Sequence, residues 1–255
     1  MLRSFHVDTV PDEKKIAEIR AKIAEKPEDP ELWFALGGEY FQSDFKASRD
    51  AFSRAIALNP FCAEYYFYRG RKHLSTDQYA QALADFHTAL RLDPMDGQMW
   101  HYLGVALYYL GIYAQAAEYF RKTIAMNAKF GSACIWPEVD WLWMACMRAG
   151  DSEGARQALS LVADDEYSSE SDLAYKKRVR LYKGVDSIET FMKNVDRVDQ
   201  LNEVTELYGA VNYYRFIAPD AQKAHALADE ILNIRTYLNA FGWKCAYFDR
   251  RDGLV

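Results

Sequence analysis

Apolar residues recur along this chain at helical spacing. Ile16, Ile19 and Ile23 fall three and four residues apart, one stripe of a helix that Asp8 or Thr9 is placed to cap, with Pro11 near its first turn. The apolar runs Ala55 to Leu58 and Ala89 to Leu92 stop at Pro60 and Pro94. A proline there lacks the N–H that a helix needs and restricts the residue before it, so both helices must end. From Asp172 onward the same reading predicts helices over about 172–183, 186–195, 199–217, 220–232 and 236–248, with Ala224, Ala228, Ile231 and Leu232 on one face of the fourth.

The pattern also repeats over a longer distance. Phe52, Phe86 and Phe120 are 34 residues apart, and so are Pro60, Pro94 and Ala128. The first unit reads Trp33, Leu36, Gly37 and Tyr40, then Ser48, Phe52, Ala55 and Pro60. The second has Tyr66, Gly70, Tyr79, Ala82, Phe86, Ala89 and Pro94, and the third Trp100, Leu103, Gly104, Gly111, Tyr113, Ala116, Phe120 and Ile124. These three strings resemble the tetratricopeptide repeat. They depart from it at Ser48, where alanine is usual, at Arg69 and His73, in place of leucine and tyrosine, and at Ala128, in place of proline. The resemblance implies an all-α fold, a right-handed superhelical solenoid of antiparallel helix pairs. Gly37, Gly70 and Gly104 would let the second helix of each pair sit against the first, and Ala82 and Ala116 serve the reverse contact.

Downstream the repeat weakens. Trp141 to Gly150 followed by Ala155 and Leu159 resembles a fourth pair, but Trp143 stands where a small residue belongs, so packing must differ locally. Tyr208, Val211 and Asn212 fit first-helix positions of a further divergent repeat, with Asn212 in place of glycine. The expected organisation is one continuous solenoid: a packing helix over 1–29, three regular repeats over 30–128, and divergent repeats with a capping helix over 129–255. This order of elements is similar to the tetratricopeptide lipoproteins of the NlpI type, although their lipoprotein signal is absent. That similarity implies an adaptor that brings proteins together, with the homodimer as one form it can take.

Composition narrows the function. The net charge of −6 gives no overall attraction for a phosphate backbone, so no nucleic-acid partner is expected. The exception to examine is the basic run Lys176, Lys177, Arg178, Arg180 and Lys183, which the acidic segment before it is expected to neutralise. Charges interrupt every apolar stretch, so no membrane span is expected, and the first residues lack the apolar run of a secretory signal. Cys62, Cys134, Cys146 and Cys245 show no paired spacing and read as free thiols, which suits a cytoplasmic protein. The five histidines are dispersed with no metal-ligand spacing, and no phosphate loop or nucleophile elbow occurs. The expectation is therefore a non-enzymatic protein without cofactor or metal.

Aromatic residues make up 15% of the chain, more than ordinary helix packing needs, which points to rings reserved for a partner. One helical step from the repeat's own packing positions lie Phe34, Phe41, Phe67, Arg71, His101 and Tyr108, flanked by Tyr68, Tyr102 and Tyr109. In the irregular pair Asp140, Trp141 and Met144 occupy the equivalent face. These residues form the expected groove for a protein or peptide, an aromatic wall with a few polar anchors. The alternative is a self-associating solenoid, a homodimer whose groove is filled by its own carboxy-terminal helices. An enzyme on a helical scaffold is a remote third reading.

Overall fold

In a computed structural model of the chain, residues 11–129, 135–165 and 167–254 are described. They form fourteen α-helices: α1 (Glu13–Glu25), α2 (Pro30–Glu39), α3 (Phe45–Leu58), α4 (Ala63–Ser75), α5 (Tyr79–Leu92), α6 (Gly97–Tyr109), α7 (Tyr113–Lys129), α8 (Trp136–Ala149), α9 (Ser152–Leu159), α10 (Leu173–Tyr182), α11 (Ile188–Lys193), α12 (Gln200–Phe216), α13 (Ala221–Asn233) and α14 (Phe241–Arg251). No strand occurs among the described residues. The chain divides into two compact units, Met1–Met126 and Asn127–Val255.

In the first unit, α1 is capped by Asp12, whose carboxylate accepts the Lys15 N–H at 3.0 Å. The caps expected at Asp8 or Thr9 lie outside the described residues. Ile16, Ile19 and Ile23 are buried and pack with Leu36 and Ala51. The three repeats follow as α2/α3, α4/α5 and α6/α7, and one contact sets the spacing within each. A Cβ added to Gly37, Gly70 or Gly104 would stand 2.5, 2.7 or 2.8 Å from the ring of Phe52, Phe86 or Phe120. The 34-residue phenylalanine series and the glycine series are thus the two sides of one close approach. All three rings are fully buried.

The departures from the repeat pattern find partners. Ser48 donates its hydroxyl to the Gly37 carbonyl at 2.7 Å inside the α2/α3 contact, so the extra oxygen is satisfied. Arg69 forms a bidentate pair with the buried Asp85 of α5, at 2.8 and 2.6 Å, and His73 Nε2 lies 3.6 Å from the same carboxylate. The tryptophans that open α2 and α6 act as clips: Trp33 and Trp100 donate their indole N–H groups to the carbonyls of Pro27 and Pro94 at 2.9 and 3.0 Å.

The second unit is built differently. In α8 the position expected to be small is Trp143, and instead of admitting a neighbouring ring edge it stacks face to face on Tyr182 of α10 at 3.8 Å. In α12 a close approach is made to α10. The close-approach residue is Gly209, where a Cβ would meet the side chain of Arg178 at 2.5 Å. Asn212 is buried and donates to the Tyr182 hydroxyl at 3.4 Å. The predicted helix over 186–195 is a single short segment, α11, and the one over 236–248 starts five residues later, at Phe241. The second residue of that helix, Gly242, runs close against α12: a Cβ there would come within 2.4 Å of the Val204 carbonyl. Asp249 fixes α14 in place. Its fully buried carboxylate accepts from Arg148 of α8, from Arg215 at 3.1 Å and from the Tyr208 hydroxyl at 2.8 Å. Cys146 and Cys245 are buried free thiols and Cys62 is half-buried, while Cys134 and His6 lie outside the described residues.

Candidate functional site

The candidate face in the first unit is carried by the first helices of the repeats. Most of its rings turn out to be core. Phe34, Phe41, Phe67, Tyr68, Tyr108 and Tyr109 are buried, none more than 8% exposed. Each repeat's extra ring packs on the next repeat: Phe34 meets Tyr65 and Tyr68 at 5.1 and 5.6 Å, Phe41 meets Tyr68 at 5.7 Å, and Phe67 meets Tyr102 at 5.4 Å. These contacts correct the picture of an aromatic wall standing open to a ligand. Aromatic pairs stacked across successive repeats bury large areas, and here they extend the repeat core itself.

Three of the predicted residues keep partial exposure: Arg71, His101 and Tyr102. Arg71 lies among four rings, its guanidinium carbon 4.7 Å from the centre of Phe41, 4.8 Å from Tyr102 and 5.8 Å from both Phe67 and Tyr68. His101 is edge-on to Tyr102 at 5.5 Å, and burial with the nearby Arg71 charge holds its imidazole down to about 4, neutral at neutral pH. Burial likewise raises the Tyr68 phenol to about 12, against the pull of Arg71.

Beside Arg71 sits a residue that the sequence reading missed. Lys72 is only 2% exposed. Its ammonium donates to the Phe41 carbonyl and lies 3.2 Å above the Phe41 ring and 4.7 Å from Phe45. Burial, and to a smaller extent Arg71, lower its pKa to about 6. The signal was present: Tyr65, Tyr68 and Lys72 are spaced three and four apart on the buried stripe of α4.

In the second unit the predicted residues are also interior. Asp140, Trp141 and Met144 are at most 1% exposed. Asp140 is the ionic partner of the buried Arg178, Nε to Oδ1 3.1 Å, and burial pushes its carboxyl up to about 7 against the pull of that arginine. It is committed to the interior, where the sequence reading had a polar anchor. Arg178 also donates to the Tyr182 hydroxyl at 3.2 Å. Trp141 meets Phe241 edge-on at 5.4 Å.

The basic run is spent in the same way. Lys177 pairs with the buried Glu206 at 2.7 Å, Arg180 with Asp186 at 2.8 Å and Lys183 with Asp164. Only the last of these carboxylates belongs to the acidic segment expected to do the neutralising. Among the described residues no group of three His, Cys, Asp or Glu side chains could hold a metal ion, and no helix is long and apolar enough to cross a membrane.

Comparison with known proteins bears on the repeats and the fold. The tetratricopeptide-repeat family profile matches residues 38–76 and 70–129. A small glutamine-rich tetratricopeptide repeat-containing protein 2 of Mycosarcoma maydis is 31% identical over 84 residues, 33% of this chain and 24% of that protein. The chain therefore matches less than two thirds of the length of such relatives. Among solved structures, YrrB, described as a TPR protein with an unusual peptide-binding site, superposes with a TM-score of 0.51 at 17% identity, covering 89% of this chain and 97% of that one. PilF of Pseudomonas aeruginosa superposes with a TM-score of 0.55 at 16% identity, covering 86% and 89%. At these identities the structural likeness concerns the fold. The 34-residue period, the glycine-to-phenylalanine contact made three times over, and the family match together identify the chain as a tetratricopeptide-repeat protein, with its repeats shown over residues 38–129.

Proposed function

We propose that the protein is an interaction scaffold, without catalytic activity, that receives a segment of another protein on the first-helix face of α4 and α6. The observation that carries this reading is the group Arg71, His101 and Tyr102, which keeps partial exposure although its rings pack on Phe67 and Phe120. The repeat core is already complete in the contacts of Gly37, Gly70 and Gly104 with Phe52, Phe86 and Phe120. A polar and aromatic group beside a finished core is the composition of a binding anchor. Tetratricopeptide repeats in general serve as protein-interaction scaffolds, and the description of YrrB as peptide-binding supports the same use of this fold. A reducing compartment such as the cytoplasm suits the free thiols Cys62, Cys146 and Cys245.

A photo-reactive benzoylphenylalanine at position 102, compared with one at the exposed Ala84 of α5, tests the reading in native lysate. The expected result is a discrete cross-linked protein from position 102 and none from position 84. Equal cross-linking from both positions, or none from 102, would overturn it.

A further inference from the structure

The arginines of this chain differ in one respect that singles out Arg71. Among the described residues, every other arginine that is buried or half-buried has a carboxylate within ion-pair distance: Arg69 with Asp85, Arg148 and Arg215 with Asp249, Arg178 with Asp140, Arg180 with Asp186, Arg250 with Asp229, and, more loosely, Arg49 with Asp50. Arg71 is half-buried, with four rings around its guanidinium and no carboxylate within ion-pair distance. Aromatic faces attract the cation through its π surface. The five N–H donors of a guanidinium lie in its plane, where rings do not satisfy them. A planar bidentate acceptor, a carboxylate, fits those donors, and partial exclusion of water by the surrounding rings strengthens the pairing. The nearby Asp96, at the start of α6, already caps that helix through the Gln98 and Met99 N–H groups.

We infer that Arg71 is the anchor for a glutamate or aspartate side chain, carried within an apolar segment of a partner protein, and this rests on the scaffold reading above. An internal acidic residue fits better than a chain end, because the rings around Arg71 come from the repeat before it, Phe41, and the repeat after it, Tyr102. The anchor is therefore mid-surface, with repeat on both sides for the flanking residues to follow.

The test uses the full chain and three synthetic decapeptides of one leucine-rich pattern. The first carries glutamate with an amidated carboxy terminus, the second glutamine with a free carboxy terminus, and the third glutamine with an amidated terminus. Binding is read by calorimetry and by the Arg71 Nε–Hε signal in nitrogen-15 NMR spectra. The expected result is saturable binding of the first peptide, weaker by about ten-fold or more for the third, with the Arg71 signal shifting on titration. Arg71→Gln should remove that difference while leaving the helical circular dichroism unchanged, and Arg71→Lys should restore part of it.

Preference for the second peptide would overturn the internal-acid assignment in favour of a chain end. Equal affinity for all three, no binding of any, or unchanged affinity in Arg71→Gln would overturn the anchor. Inorganic phosphate displacing the first peptide at equal concentration would assign the site to a phosphate. A dimer in light scattering that Arg71→Gln dissolves would assign it to a second copy. Cross-linking from position 102 that persists in Arg71→Gln would leave the scaffold reading standing without the carboxylate anchor.

Discussion

At the scale of single residues, the buried Lys72 and the Gly37 contact of the first unit differ in their energetics. Lys72 is buried with a carbonyl and two rings but no carboxylate, so its ammonium is disfavoured in the folded chain and its pKa falls to about 6. Unfolding restores the ordinary lysine value. Between those two values the unfolded chain binds more protons, so stability rises with pH by up to about 1.4 kcal/mol per pH unit from this group. Lys72→Met removes the slope. Urea unfolding at pH 7 and pH 9 should show the variant more stable at pH 7, with the gap narrowing at pH 9; a gap that stays constant would mean the amine is charged in the fold. Gly37 and Ser48 form the second case, facing each other across α2 and α3. Ser48→Ala restores the family residue and removes a satisfied hydrogen bond, a change of about 1 kcal/mol or less. Gly37→Ala drives a methyl group into the Phe52 ring and should cost about 1–3 kcal/mol, so the two melting temperatures should separate clearly.

At the scale of elements, the second repeat shows how a departure from the family pattern becomes a linked set. Arg69 and His73 replace a leucine and a tyrosine on α4, and both turn toward Asp85 on α5. Restoring only the leucine leaves the buried carboxylate without its bidentate partner. Arg69→Leu should therefore destabilise by about 3–5 kcal/mol, whereas Arg69→Leu with Asp85→Leu should recover most of the loss, which a double-mutant cycle in urea measures. Elements of this kind mark where the sequence was legible. The positions of α2 to α7 follow from the glycine and phenylalanine series, because a steric contact repeated every 34 residues leaves a regular trace. The partner of Arg69 left none, since Asp85 is one acidic residue among many on an amphipathic helix. The candidate face was legible in part, for the same reason. Helical phase places Phe34, Phe67 and Tyr102 on one side of the first helices, but whether a ring is covered depends on the ring one repeat further on.

At the scale of the whole molecule, the two units use different means of holding helices together. In the first, each helix pair closes on a phenylalanine-to-glycine contact, and rings stack from one repeat to the next. In the second, buried ion pairs tie helices distant in sequence: Asp140 on α8 to Arg178 on α10, Lys177 on α10 to Glu206 on α12, and Asp249 on α14 to Arg148 and Arg215 on α8 and α12. Such pairs follow no period, which is why helix positions there could be read from the sequence while their packing partners could not. They also concentrate risk. Asp249→Ala would leave Arg148, with a side chain 4% exposed, and Arg215 without their common carboxylate. Removing one partner of a buried ionic group costs about 3–5 kcal/mol, because the remaining charge stays desolvated. The loss should be local to the unit that holds the network. Native-state hydrogen exchange of Asp249→Ala should show faster exchange in α8, α12 and α14, with the amides of α2 to α5 protected as in the parent chain. Uniform loss of protection across both units would mean instead that the chain unfolds as one cooperative body, and that the division into two units describes its geometry without dividing its stability.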